Sequence, residues 1–280
     1  MNIRRIVGGA GALLIAATLT ACGGSDTGST AKAKEDGPAP TATATAEAKA
    51  EGKAVFVYED PAEADAEIAQ AMQDDKILEG FADWVNANLK LPYDLTISGS
   101  KCEQENAFYN PDEKKIEICY ELITSTVKLL RENLQDEEQI GQAIVGNVMD
   151  ALYHEFGHAV IDIYDLPALG KEDDAADQLS AYLLSSDDSG DGGLALGAAV
   201  YYSLMAENED AAELPFYDEH SMNAQRQYNY LCWVYGSDTK KYADLVDNEW
   251  LPAERADRCE GEYEKLSNAW NKLLEPHRKA

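Results

Sequence analysis

An apolar repeat between positions 140 and 160 limits what this chain can fold into more than any other feature. Its residues recur every four positions, and they are Ile140, Ile144, Val148, Leu152 and Phe156. This spacing is typical of a helix that buries one face in a core. Leu166-Pro167 and then Gly170 follow the repeat and predict the end of the helix. The sequence therefore predicts a long core helix that ends before residue 170.

The predicted helix carries the segment His154-Glu155-Phe156-Gly157-His158. Residues four apart lie on one helix face about a turn apart, so both imidazoles can bind one Zn²⁺. Glu155 is then close enough to a water at the ion to take its proton. The alternative is a core helix whose two histidines are bonded to neighbouring groups. With only 4 histidines in 280 residues a chance match is uncommon, so the segment predicts a zinc hydrolase with one Zn²⁺.

A catalytic zinc site has three protein ligands and an open position. The next carboxylates are Glu172, Asp173, Asp174 and Asp177, at the start of a second predicted helix. In zincins of the glutamate-ligand type, the third ligand lies four residues before an aspartate that supports one of the histidines. This spacing predicts Asp173 as the third ligand and Asp177 as the support. Glu172 is the alternative ligand because its side chain is longer, and an acidic run is also typical of a first helical turn.

Two further histidines follow the predicted ligands. His220 lies in Tyr217-Asp218-Glu219-His220, downstream of the ligands like the transition-state histidine of thermolysin-like zincins. It is our candidate for the group that stabilises the oxyanion, and Asp218 is the candidate that orients it. The alternative is a helix-terminal histidine with no catalytic role, in which case a tyrosine or Arg226 supplies the donor. His277 lies in a charged tail, where we expect it to be solvated.

These motifs resemble a family of bacterial predicted metallopeptidases that was long catalogued only as a domain of unknown function. The resemblance covers roughly residues 60–275. Besides His154 to Gln178, the similar stretches are Asn106 to Tyr109, Ile118 to Glu121, Asp218 to His220, Gln225-Arg226, Leu231 to Trp233, Arg255 and Cys259. The resemblance implies a zincin-like fold and hydrolysis of peptide bonds. Asp173 stands where glutamate is expected, so Glu172 stays open as the third ligand.

The N-terminal region is typical of an exported lipoprotein. Residues 1–21 have the charged start, apolar run and small residues of a signal peptide, and Leu19-Thr20-Ala21-Cys22 resembles a lipobox. We expect cleavage before Cys22, acylation of this cysteine and anchoring of the protein to the bacterial cell membrane, outside the cytoplasm. The alternative is an ordinary cleaved signal. Residues 22–53 are rich in Gly, Ser, Thr, Ala and Pro and predict a flexible linker, which leaves 54–280 as the metallopeptidase-like domain.

Four cysteines remain in the predicted domain, and four cysteines allow three disulfide pairings. Sequence proximity favours Cys102 with Cys119 and Cys232 with Cys259, although a second zinc site is an alternative. The first pair would brace a hairpin around the turn at 110–113. Its strand Lys115 to Cys119 is a candidate edge strand for pairing with an extended substrate, and a purely structural hairpin is the alternative.

Helical patterns dominate the rest of the chain and predict a mainly helical α+β fold, zincin-like, with a small sheet beside the His-Glu-x-x-His helix. They cover 62–89, 121–133, 172–184, 194–205, 219–235 and 260–274, with a further short strand at 96–98.

The charge of the chain bears on its partners. Asp and Glu total 52 against 23 Lys and Arg, a formal net charge of −29, which argues against binding to nucleic acid. We favour a solvated acidic coat that keeps an exported protein soluble, with attraction of cationic peptides as the alternative.

The sequence as a whole predicts a zinc-dependent peptidase of the bacterial cell envelope that acts on a peptide or protein, with Glu155 as general base. One alternative is a catalytically inactive envelope lipoprotein that binds a partner. Another is a metal-dependent hydrolase of a different bond, such as an amide in the cell wall.

Overall fold

The computed structural model describes residues 51–186, 192–210, 214 and 216–279. The predicted signal peptide, Cys22 and the linker up to residue 50 lie outside these described residues. Gly52 and Lys53, the last residues of the predicted linker, already bond to the domain. The Gly52 N–H donates to the Leu91 carbonyl at 2.8 Å and the Lys53 N–H to the Asp94 side chain at 2.8 Å. In the described part of the chain, no helix combines the length and apolar character that crossing a membrane requires.

The described residues form a mainly helical α+β fold, as predicted. The strands are β1 (Ala54–Tyr58), β2 (Leu95–Ser100), β3 (Ala107–Asn110) and β4 (Lys115–Cys119). The helices are α1 (Ala66–Asp74), α2 (Ile77–Asn88), α3 (Tyr120–Asn133), α4 (Glu137–Tyr164), α5 (Glu172–Ser185), α6 (Gly193–Glu207), α7 (Asn223–Ser237), α8 (Asp244–Asp247), α9 (Ala253–Ala256) and α10 (Cys259–Leu274).

The four strands form one sheet in the order β1-β2-β4-β3. Strands β1 and β4 both run parallel to β2, and only the predicted hairpin of β3 and β4 is antiparallel. The prediction of Lys115 to Cys119 as an edge strand is wrong, because β4 lies between β2 and β3. Its main-chain groups are used on both sides, so the edge available for an extended peptide on this side of the sheet belongs to β3.

Helix α4 is the long core helix that the apolar repeat predicts. It begins after Asp136, whose side chain accepts a hydrogen bond from the Gln139 N–H at 2.8 Å and so caps the first turn. It ends at Asp165, a left-handed residue after which the Leu166 N–H bonds back to the Ile161 carbonyl at 2.9 Å. Most of its residues from Ile140 to Ile161 are buried, so the helix runs through the core.

Two close backbone approaches hold neighbouring helices against α4. A Cβ on Gly157 would lie 2.7 Å from the Ala176 Cα, where α5 crosses. A Cβ on Gly146 would lie 2.8 Å from the Gly197 Cα, where α6 crosses. These contacts fix the distance from α4 to both helices, and the first of them lies within the His-Glu-x-x-His segment.

Both cysteine pairs that sequence proximity favours lie at disulfide-bond distance. The Cys102–Cys119 pair joins the loop after β2 to the end of β4, with the sulfurs 2.12 Å apart. The Cys232–Cys259 pair joins α7 to the start of α10, with the sulfurs 2.02 Å apart. Disulfides are compatible with an exported protein.

The predicted helix over 62–89 is divided in the structure. Lys76 adopts a left-handed conformation with φ of 54° between α1 and α2. This turn lets two shorter helices pack on different parts of the core, and the strand β1 that precedes them was not predicted.

Candidate metal centre

Three predicted ligands converge where α4 meets the first turn of α5. The Nε2 atoms of His154 and His158 lie 3.3 Å apart. The Asp173 Oδ1 lies 3.7 Å from the first of these nitrogens and 3.5 Å from the second. These three residues form a group of potential metal ligands whose donor atoms all lie within 4.8 Å of one another.

A carboxylate from α5 lies behind each of the two imidazoles. The His154 Nδ1 is 2.8 Å from Asp177 Oδ1, and the His158 Nδ1 is 2.8 Å from Glu172 Oε1. When each ring is neutral with its proton on Nδ1, the tautomer that a metal requires, both Nε2 atoms keep a lone pair on the side of Asp173. Glu172 therefore contacts the back of a ring, and this geometry favours Asp173 over Glu172 as the third ligand.

Arg226 extends the support behind His154. Its Nε donates to Asp177 Oδ2 at 2.8 Å and its Nη2 to Oδ1 at 2.6 Å, a two-point contact made by α7. The guanidinium also lies over the Tyr202 ring, 4.0 Å from its centroid. Although burial raises the pKa of Asp177, the charge of Arg226 and the bond to His154 lower it to about 2. Arg226 thus keeps the carboxylate behind His154 ionised.

A buried aspartate that we did not predict lies next to this support. Asp150, one turn before His154 on α4, is 1% exposed. It accepts hydrogen bonds from the hydroxyls of Ser180 at 2.5 Å and Tyr202 at 2.6 Å, and a short one from Tyr230. Burial and the nearby Asp177 raise its pKa, and the Arg226 charge opposes this. A charged residue four positions before His154 in an apolar helix was the signal in the sequence.

Glu155 faces a cavity of about 290 Å³ beside the ligand group. It is 8% exposed, and burial raises its pKa, while the charges of His154, His158 and His220 lower it in part. His154, Asp150, Arg226 and His220 line the same cavity. A carboxylate with a raised pKa at a cavity beside metal ligands is suited to receive a proton from water.

The loop before α7 brings His220 to the ligand group. Its Nε2 is 3.1 Å from Asp173 Oδ1, its Nδ1 is 3.2 Å from Asp218 Oδ1, and its ring stacks on that of His154 with centroids 5.6 Å apart. Lys171 holds the loop by donating from Nζ to the carbonyls of Asp218 at 2.9 Å and His220 at 3.0 Å. The predicted span 219–235 placed His220 at the start of a helix. Helix α7 begins only at Asn223, so His220 lies on the loop before it.

The pKa shifts of the ligand group follow from its charges. Burial lowers the pKa of His154, but the hydrogen bonds to Asp173 and Asp177 outweigh it and raise this pKa to about 10. The same balance, with Asp173 and Glu172, raises the pKa of His158. Hydrogen bonds from the two histidines hold the pKa of Asp173 well below its usual range. The pocket therefore strongly favours positive charge between these side chains.

The donor set fits a divalent cation of the zinc type. Two imidazole nitrogens and one carboxylate oxygen are the ligands of a common class of catalytic zinc site. Each imidazole is oriented by a carboxylate, as is usual for metal-bound histidines. The acidic surroundings stabilise added positive charge, and the cavity on the Glu155 side leaves room for a further ligand.

A family model described as "Putative metallopeptidase" matches residues 58–274 of this chain. The match covers both helices of the candidate metal centre, the cavity and Arg226. No curated protein and no solved structure matches the chain.

Proposed function

This chain belongs to the family described as "Putative metallopeptidase", and from that premise we propose that it is a zinc-dependent peptidase of the bacterial cell envelope. The observation that carries the proposal is the convergence of His154, His158 and Asp173 beside the buried Glu155. A set of ligands alone would serve a structural metal equally well. A carboxylate beside them that lines an accessible cavity supports hydrolysis.

In this proposal the two imidazoles and Asp173 hold Zn²⁺, with Asp177 and Glu172 orienting the rings. Bound zinc supplies a Lewis acid that polarises the scissile carbonyl and acidifies water. The chain supplies the positions of these ligands, the proton acceptor and the shape of the cavity.

Glu155 acts as the general base. It takes a proton from the attacking water and passes it to the leaving amine, which balances the proton over the reaction. The raised pKa of the buried carboxyl brings it closer to neutral pH and so favours this exchange. His220, oriented by Asp218, lines the same cavity and donates to the oxyanion of the tetrahedral species. Arg226 lines the cavity too, but two of its guanidinium nitrogens are bonded to Asp177.

The substrate is a peptide or protein outside the cytoplasm. Strand β3 is an edge of the sheet, and Ala107, its first residue, lines the cavity, so an extended peptide can pair with the strand next to Glu155. We propose export by residues 1–21 and a lipid anchor on Cys22, with residues 22–53 as the linker to the domain. The two disulfides are compatible with this location, and the net charge of −29 disfavours nucleic acid as a partner.

Two measurements test the proposal. The first is metal analysis of the purified protein, for which we expect about one equivalent of zinc that chelators remove. The second is cleavage of a mixed peptide library by the wild type and by Glu155→Gln. The variant should keep its zinc and lose cleavage by about 10³-fold or more, because the base is absent and the ligands are intact. Equal cleavage by the two proteins would exclude Glu155 from the reaction.

The matched control is Glu138→Gln, an exposed glutamate in the first turn of the same helix. This variant should retain both zinc and activity. Should the protein bind zinc and yet cleave no library peptide, the interpretation as an inactive, partner-binding lipoprotein would replace the proposal.

A further inference from the structure

The cavity beside Glu155 extends along two helices beyond the metal centre. On α4 the lining includes Asn147, Ala151 and Glu155, which are spaced four residues apart, besides Asp150 and His154. Such a stripe covers roughly 12 Å of helix, so the cavity reaches well past the reacting atoms. A second set at the same spacing lines the cavity too, formed by Tyr201 and Met205 of α6 and then Glu209, besides Tyr202. The cavity thus has the depth of a long side chain.

The cavity lining combines apolar and acidic side chains. Leu122, Ala151, Met205 and Met222 supply apolar surface. Glu105 and Glu209 add carboxylates, and Glu209 accepts one hydrogen bond, from the Asn223 amide at 2.6 Å. Among the described residues, neither glutamate forms an ion pair with a lysine or arginine. These two carboxylates are therefore available to a cation from outside the chain.

The one arginine among the described lining residues does not neutralise them. Both charged contacts of Arg226 go to Asp177, and its plane is stacked on Tyr202. Asp150, deeper in the same wall, is already bonded to three hydroxyl groups. The lining consequently keeps a net negative charge on the side of Glu105 and Glu209.

A second, independent observation is a buried amide that faces this cavity. Asn147 is 4% exposed, and its carboxamide oxygen accepts a hydrogen bond from the Thr126 hydroxyl at 2.8 Å. Its NH₂ group forms no hydrogen bond to a described residue and is not among the fully buried unpaired atoms, so it is open to the cavity that Asn147 lines. This donor is free to bond the carbonyl of a peptide that enters the cavity.

We propose that this cavity is a side-chain subsite that selects a lysine or arginine residue of the substrate. The aliphatic stem of the basic residue packs on the methionines and Ala151, and its cation lies between Glu105 and Glu209. Asn147 bonds a carbonyl of the same peptide. The formal net charge of −29 adds to this selection, because it raises the local concentration of cationic peptides. The proposal rests on the proposed peptidase function and names its substrate class.

The test uses peptides that differ at one position near the scissile bond. Lysine, norleucine and glutamate are compared there, because norleucine keeps the stem of lysine and lacks its charge. With the full chain we expect kcat/KM to be about tenfold higher for lysine than for norleucine, and lowest for glutamate. Glu209→Gln should reduce the ratio of kcat/KM for lysine to that for norleucine, and adding Glu105→Gln to this variant should reduce the ratio further. The matched control is Glu207→Gln, an exposed residue at the end of α6, two positions before Glu209, which should leave the ratio unchanged.

Equal rates for lysine and norleucine at every tested position would overturn the proposal, as would a ratio that the double glutamine variant leaves unchanged. A failure of catalysis is distinguished by equilibrium binding. Fluorescently labelled lysine and norleucine peptides are titrated with Glu155→Gln protein and followed by anisotropy. About tenfold tighter binding of the lysine peptide, reduced by Glu209→Gln, supports the subsite even if no peptide is cleaved. Equal dissociation constants refute the subsite whatever the activity.

Discussion

Replacing Arg226 by methionine should weaken zinc binding although the residue touches no proposed ligand. Asp177 is buried, and its carboxylate has two kinds of charged partner, the Arg226 guanidinium and the His154 ring. Methionine has a similar length and keeps some packing on the Tyr202 ring, but it supplies neither hydrogen bond. The substitution therefore removes charge and donors without opening a large cavity.

The expected size of the effect follows from these contacts. Removing one partner of a buried ion pair costs about 3–5 kcal/mol of folding free energy, because the other charge stays buried without compensation. In the variant, burial acts on Asp177 with less opposition, and the pKa of its carboxyl rises. A protonated Asp177 no longer holds the His154 proton on Nδ1, so Nε2 loses its lone pair for part of the time. Groups in this supporting position typically contribute 10–100-fold to metal affinity, about 1.4–2.7 kcal/mol.

Two assays separate the contributions. Urea unfolding of the metal-free protein reports folding stability, and competition with a chromophoric chelator at neutral pH reports zinc affinity. Arg226→Lys keeps a single charge without the two-point contact, so we expect an intermediate zinc affinity. The matched control is Arg255→Met, which breaks a similar two-point contact with Glu262, at 2.9 Å and 2.6 Å, away from the metal centre. It should leave zinc affinity unchanged. Zinc binding within twofold of the wild type for Arg226→Met would refute the reasoning.

Three further outcomes are expected. Asp173→Ala should weaken zinc binding more than Glu172→Ala does. Loss of Glu172, which supports the His158 ring, should lower zinc affinity by about tenfold to 100-fold. Release of zinc by the Glu172 change alone would reverse the assignment of the third ligand. Gly157→Ala should destabilise the fold by about 1–3 kcal/mol in urea unfolding and weaken zinc binding, because the new Cβ would lie 2.7 Å from the backbone of α5. The matched control is Gly261→Ala, where no atom lies within 4 Å of the new Cβ. This variant should stabilise α10 by up to about 1 kcal/mol in the same assay. The Cys232→Ser, Cys259→Ser double variant loses the α7–α10 disulfide, whose cysteines have a sequence separation of 27. Its free energy of unfolding, measured with urea, should fall by about 3–4 kcal/mol, and reducing agent should then have little further effect at this end of the chain.

Local periodicity predicted the helices around the metal centre well. The four-residue apolar repeat and the stop at Leu166-Pro167 gave α4 nearly to its end, and the acidic run began α5 at Glu172 as expected. These signals depend on neighbours within a few turns. The hairpin of β3 and β4 was predictable for the same reason, since its turn residues lie between its strands.

Long-range pairing was not predictable from those signals. The position of β4 inside the sheet depends on β2, and β1 joins the sheet from before two helices. Lysine rarely adopts a left-handed conformation, so nothing in the sequence at Lys76 predicted the division between α1 and α2. Asp150 and Asn147 are polar residues in a largely apolar helix. Their meaning depends on Tyr202, Tyr230 and Thr126, which arrive from other helices.

The proposed ligands and the carboxylates behind them all lie between His154 and Asp177, on two consecutive helices joined by one turn. His220 and Arg226 arrive only with a later part of the chain. A chain synthesised from its N-terminus therefore contains every proposed ligand before it contains His220, the proposed oxyanion donor. Under the proposed function, metal can thus bind before the chain is competent for hydrolysis.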